Sequence, residues 1–175
     1  GAAAAALLLV AGSSGAQDRT STAPRFFVGL GVDDVQERVD PPSPAVALEF
    51  AGPAADAVNV DGGVRIRLSP RVAAVASLES AFYGGVGLAL EVFPFHAAPF
   101  FLEGGAMAGV FHRNDVFYPF EFRGQLGVGW EFENGVSVAL VGDHKSNGDM
   151  GRSDSPTETL MIRVGAPFSA LGFGG

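Results

Sequence analysis

Cysteine is absent from the 175-residue chain, which removes disulfides, thiolate catalysis and cysteine-built zinc sites together. Histidine occurs three times, at 96, 112 and 144, too scattered to assemble a histidine metal centre. Charge is scarce as well: 17% of residues are charged, against roughly a quarter in an ordinary soluble domain. Eleven basic and nineteen acidic side chains leave a net charge of −8. There is no cationic excess to displace phosphate counterions, so a nucleic-acid partner is excluded. What the chain has instead is apolarity and backbone punctuation, with 47% hydrophobic residues, 25 Gly and 11 Pro. That mixture argues against a helical bundle.

The apolar block Ala2 to Ala11 is followed by Gly12-Ser13-Ser14-Gly15-Ala16, with small residues suited to the −3 and −1 positions of a secretory cleavage site. Cleavage is expected after Ala16, giving a leader over 1–16 and a mature domain over 17–175. No basic segment precedes Ala2, so the leader is read as incomplete at its start. Beyond it no apolar run reaches the ~18 to 20 residues of a membrane-spanning helix. Export and apolarity without such a helix point to a closed β-barrel, the other structure that satisfies every backbone polar group in lipid.

Eight strands are expected, near Arg25–Asp33, Pro44–Ala51, Gly63–Leu78, Phe82–Phe93, Phe100–Phe111, Pro119–Phe132, Gly135–Ser146 and Thr157–Phe168. Within them the large apolar residues fall on even numbers, as in Val28, Leu30, Val32 or Leu126, Val128, Trp130. Period two assigns them to one face. The odd positions carry Glu49, Arg65, Arg67, Glu91, Glu103, Glu121, Arg123, Gln125 and Arg163, interleaved with Gly29, Gly31, Gly85, Gly87, Gly127 and Gly129. A soluble barrel would turn this face to water and load it with Lys and Thr, yet the chain has a single Lys. Glu and Arg alternating with Gly describe a narrow interior filled by ion pairs, with the apolar face outside in lipid. The expected fold is therefore all-β, an eight-stranded antiparallel up-and-down transmembrane β-barrel. A β-sandwich or a lipocalin-like barrel is the soluble alternative.

Glu133-Asn134-Gly135 marks a tight hairpin, and Pro94 to Pro99 a second short connection. Polar loops are expected near 34–43, 112–118 and 147–156, and a longer connection over Gly52 to Asp61. Trp130, Phe93 and Phe132 suit an aromatic girdle. Arg113 and Arg152 lie where exterior loops could meet lipid phosphates. Asp149 and Asp154 are loop carboxylates, and His96 and His112 lie at strand ends. A barrel this narrow does not form a water channel.

In the strands so assigned, the charged residues sit on odd numbers with one exception, Glu158. His144 and Ser146 share its outward parity, and a register pairing His144 with Glu158 across the last hairpin brings their Cβ atoms to ~5 Å. An ionisable group facing lipid near the interface costs ~0 to 1 kcal/mol, so the barrel rim tolerates such a cluster. It is open to two readings: strands fraying into a polar loop, or a hydrolytic triad with Ser146 as nucleophile, His144 as general base and Glu158 as orienting acid.

Three segments, Pro99-Phe100-Phe101-Leu102-Glu103-Gly104-Gly105, Phe132 to Val138, and Asp143-His144-Lys145-Ser146-Asn147-Gly148 with Glu158 fourteen residues after the histidine, resemble the outer-membrane lipid A 3-O-deacylases, which appear among acyloxyacyl hydrolase-like proteins. The resemblance covers about Phe82 to Phe168. It implies an outer-membrane serine esterase that removes the 3-position hydroxyacyl chain of lipid A through a Ser-His-Glu triad on the outer barrel surface, without a metal or other cofactor. It also implies lipopolysaccharide and outer-membrane lipid as partners. The sequence departs from the family where His-x-Ser-Asn usually continues as Ala-Gly, here Gly148-Asp149, and where a following loop Asn is Asp154. An ionised Asp cannot donate to an oxyanion, which leaves the Asn147 amide and the backbone around Gly148 as the candidate donors. Phe168 or Phe173 would be the terminal aromatic that assists the barrel assembly machinery, and a homodimer is left open. The functional alternative is a non-catalytic small barrel for adhesion or membrane stabilisation.

Overall fold

The structure, a computed structural model, describes residues 22–35, 42–60, 63–78, 81–94, 99–148 and 156–171, with the backbone alone for 56–60 and 171. The leader, His96, Asp149, Arg152, Asp154 and Phe173 lie outside the described residues. The strands are β1 (Arg25–Asp33), β2 (Ser43–Ala51), β3 (Ala55–Val60), β4 (Val64–Ser77), β5 (Ala81–Phe93), β6 (Phe100–Arg113), β7 (Val116–Glu131), β8 (Ser137–Ser146) and β9 (Thr157–Pro167). Every pairing is antiparallel, β1 bonds to both β2 and β9, and β2 bonds to β4, so the sheet closes on itself.

Nine segments make an eight-stranded barrel because β2 and β3 lie in succession along one edge of β4. The first pairs with Arg71 to Ser77 and the second with Val64 to Leu68. Within the stretch Gly52 to Asp61 expected as a long connection, Ala55–Val60 is strand, which corrects that expectation. The break has a local cause: Pro53 has no N–H for the ladder. Gly52 donates to the Pro70 carbonyl at 3.0 Å, and a Cβ on Gly52 would stand 2.9 Å from the Pro70 ring. The connection expected at 112–118 is likewise shorter, a two-residue turn in which Asn114 and Asp115 both take positive φ, 47° and 64°. The ladder shifts between Gly109 and Phe111, so the alternation of β7 changes phase, and Phe117 faces out while Tyr118 packs on Phe111.

Even-numbered Leu30, Leu48, Val86, Leu88, Leu126, Leu140 and Ile162 are exposed on the outer wall, and Arg67, Arg71, Glu91, Glu103, Glu121, Arg123 and Arg163 are buried inside. The interior charges compensate one another. At the end holding Arg25 and Pro167, Arg67 reaches Glu91 at 2.5 Å and Glu131 at 2.6 Å, and Arg25 pairs with Glu131 at 3.2 Å. In the middle, Glu49 accepts from Arg123 and Arg163, each at 2.9 Å, and Arg163 also bonds Glu103. At the opposite end Arg123 and Lys145 converge on Asp143 at 2.8 and 3.0 Å. Pairing offsets the desolvation that an isolated interior charge would suffer. Phe93 belongs to this interior, 1% exposed against Phe101 and under the Arg65 guanidinium. Only Trp130 and Phe132 of the expected girdle face outward. Arg113 is not a free loop cation: it donates to Asp34 at 2.9 Å and to Thr157 at 3.3 Å. Phe168 opens a short 3₁₀ turn and packs on Phe26 and Phe50.

Candidate active site

Strands β8 and β9 carry the site. Alternation points Val138, Leu140, His144 and Ser146 outward from β8 and Glu158, Leu160 and Ile162 outward from β9, while Asp143, Lys145, Thr157 and Thr159 turn in. The ladder sets His144 directly opposite Glu158. Their side chains meet, with Nδ1 3.0 Å from Oε1, and the imidazole is 53% exposed against 23% for the carboxylate. A carboxylate only accepts, so the ring proton belongs on Nδ1 and the other nitrogen, Nε2, is left as an acceptor.

Ser146 lies two positions further along the same face of β8 and is partly exposed. Same-face neighbours on a strand are separated by roughly 6.5 to 7 Å at Cα, within reach of a histidine and a serine that rotate toward each other. The pair His144–Glu158 is therefore held by a hydrogen bond and Ser146 by strand geometry. Asn147 is buried, and Gly148, in the turn two residues past the end of β8, is exposed with φ of +62°. Arg152 falls outside the described residues.

Beside the pair the outer wall opens into a groove of about 650 Å³. Gly124, Leu126, Gly142, His144, Glu158 and Leu160 are among the residues that line it. The two glycines matter because no atom lies within 4 Å of where their Cβ atoms would be: the space they leave is open. Nothing in the sequence marks them out, since Gly84 and Gly104 also take even positions in strands. His144, Glu158 and the groove thus share the outer wall with the exposed apolar side chains.

The model of the family described as lipid A 3-O-deacylase (PagL) matches residues 63–167. The chain belongs to that family. Within the described residues the match spans β4 to β9 and includes His144, Ser146 and Glu158. The family's activity is a hydrolytic one, the deacylation of lipid A, and this member is an outer-membrane β-barrel. The fold agrees with a crystal structure of the outer membrane enzyme PagL, at 16% identity and a TM-score of 0.65, covering 82% of this chain and 99% of the other. Neisserial surface protein A shares the barrel at 9% identity and a TM-score of 0.52, covering 83% of this chain and 96% of the other. No curated protein matches this family member by sequence.

Proposed function

We propose that this barrel hydrolyses the ester linking the 3-position hydroxyacyl chain to lipid A, with Ser146 as nucleophile, His144 as base and Glu158 as the group that orients it. Ser146 Oγ attacks the ester carbonyl while His144 Nε2 takes its proton. The tetrahedral intermediate collapses, the sugar hydroxyl leaves with the proton returned by the imidazolium, and the acyl group stays on Ser146. Water, deprotonated by the same nitrogen, then releases the fatty acid and restores the serine. Glu158 holds Nδ1–H and stabilises the imidazolium formed in both halves. Backbone N–H groups and the amide around Asn147 and Gly148 are assigned to the oxyanion.

The observation that carries this reading is the 3.0 Å contact between His144 and Glu158 on a wall that otherwise presents apolar side chains to lipid. An ester anchored in the outer leaflet reaches such a site by lateral diffusion, whereas a site inside the barrel would require the lipid to be extracted. The groove beside the pair gives the acyl chain an apolar bed. The test is expression in a Gram-negative host followed by mass spectrometry of extracted lipid A. A 3-O-deacylated species that disappears in Ser146→Ala is expected. Unchanged lipid A from a folded barrel would overturn the proposal in favour of a non-catalytic barrel.

A further inference from the structure

The chain's only lysine stands between the outward-facing His144 and Ser146, and its side chain is 1% exposed. Lysine is almost never fully buried unless it is paired. Here Nζ lies 3.0 Å from Asp143 Oδ1 and 3.3 Å from Asp33 Oδ1, and donates to Thr159 Oγ1 at 2.5 Å, whose hydroxyl donates in turn to Asp33 at 2.5 Å. Asp143 already accepts from Arg123 at 2.8 Å, so the distinct contribution of the ammonium is its tie to Asp33 and Thr159 on the neighbouring strands. Thr159 is opposite Asp33 on β1 and opposite Asp143 on β8, which puts the cluster at one level of the barrel. At that level, on the other side of the sheet, His144 faces Glu158. A second tie comes from the end of β1, where the Val35 N–H reaches the Glu158 carbonyl at 3.3 Å.

We propose that Lys145 is a positioning residue for the outer site. It touches no substrate; its ammonium clamps β1, β8 and β9 from inside, fixing the separation at which the imidazole keeps its carboxylate and turns Nε2 toward Ser146. This rests on the triad reading of the site. A sub-ångström change between β8 and β9 would be felt at once by a hydrogen bond that spans those strands.

The test compares Lys145→Met with Thr159→Val, the second removing the hydroxyl relay at nearly constant volume. The first readout is the His144 Nδ1–H proton resonance in detergent micelles, assigned by its loss in His144→Ala. It is expected in the wild type, and lost or broadened in both variants while they keep the heat-modifiable migration of a folded barrel. Deacylase kcat should fall by about tenfold to a hundredfold with KM unchanged, and Thr159→Ser should restore resonance and rate. In a Glu158→Ala background Thr159→Val should add no further loss, because the effect runs through the pair. Should Lys145→Met not fold, Thr159→Val decides alone. The proposal is overturned by a wild type without the resonance, by Thr159→Val retaining resonance and kcat, or by an undiminished loss in the Glu158→Ala background. A wild type that shows the resonance but leaves lipid A intact removes the proposed function and leaves the clamp standing.

Discussion

Glu158 Oε1 lies 3.0 Å from His144 Nδ1 across the β8–β9 ladder, on the barrel's outer wall. Of the charged strand side chains described, Glu158 alone faces that way. Glu158→Gln would replace an acceptor of the Nδ1 proton with an amide able to hold the wrong tautomer. Activity on lipid A should drop by about 10² to 10⁴-fold, and Ser146→Ala and His144→Ala should each remove at least about 10³-fold. The three effects act as a unit, so the triple variant should be no slower than Ser146→Ala. Mass spectrometry of lipid A over a time course measures each rate.

Filling the groove should change substrate preference before it changes folding. A Cβ at Gly142 or Gly124 meets nothing within 4 Å, so Gly142→Leu adds bulk to open space rather than to the wall. The variant is expected to raise KM for long-chain esters and leave short-chain esters nearly untouched. A leucine side chain displaces a few methylenes of acyl contact, worth roughly 1 to 3 kcal/mol, or about 10 to 200-fold in specificity. Competition between long and short acyl esters of one chromophore reads the ratio. Equal ratios in the two proteins would show that the chain does not lie there.

Much of this was legible in the chain, and the exceptions have physical causes. Strand β1 is found at Arg25–Asp33 as the alternation indicates, and parity put His144 and Glu158 on one face, while their direct opposition is set by the ladder. Residues 52–61 were obscured by Gly52 and Pro53, which punctuate like a loop although the chain resumes along β4 as β3. The phase change in β7 falls where Pro119 and Phe120 oppose the single residue Val110, a bulge that the alternation of either flank does not reveal. Phe93 sits on an odd position, and its parity was the better guide than its aromatic character. The Lys145 clamp was beyond reach for another reason: Asp33 is 112 residues away, and only barrel closure brings β1 beside β9.

The outward orientation of the apolar face can be checked with the single tryptophan. Trp130 is 50% exposed on the outer wall, in the row that pairs with Phe100 and Val138. In bilayers containing brominated acyl chains its fluorescence should be strongly quenched, and more so by bromines near the headgroups than by bromines at the chain ends, as expected of an interfacial aromatic. Aqueous iodide should quench weakly. The reverse pattern would place the apolar face away from lipid and remove the basis for a site approached from the membrane.

The interior network sets the barrel's resistance to unfolding. Glu49 accepts from Arg123 and Arg163 at 2.9 Å each while 4% exposed. Glu49→Leu leaves the buried Arg123 and Arg163 guanidiniums each short of a hydrogen-bond partner and removes the 3.6 Å ion pair with Arg71, and should cost about 3 to 5 kcal/mol. Urea unfolding in detergent micelles, followed by tryptophan emission, measures the loss. Arg163 then retains Glu103, and Arg123 retains Asp143, so the barrel should still close. Replacing Arg163 by Met in the same protein removes one of these cations, and the double variant should recover part of the stability that Glu49→Leu alone loses. A double variant less stable than the sum of its parts would mean that Arg163 holds the wall through packing on Phe27 and through Glu103 more than through Glu49.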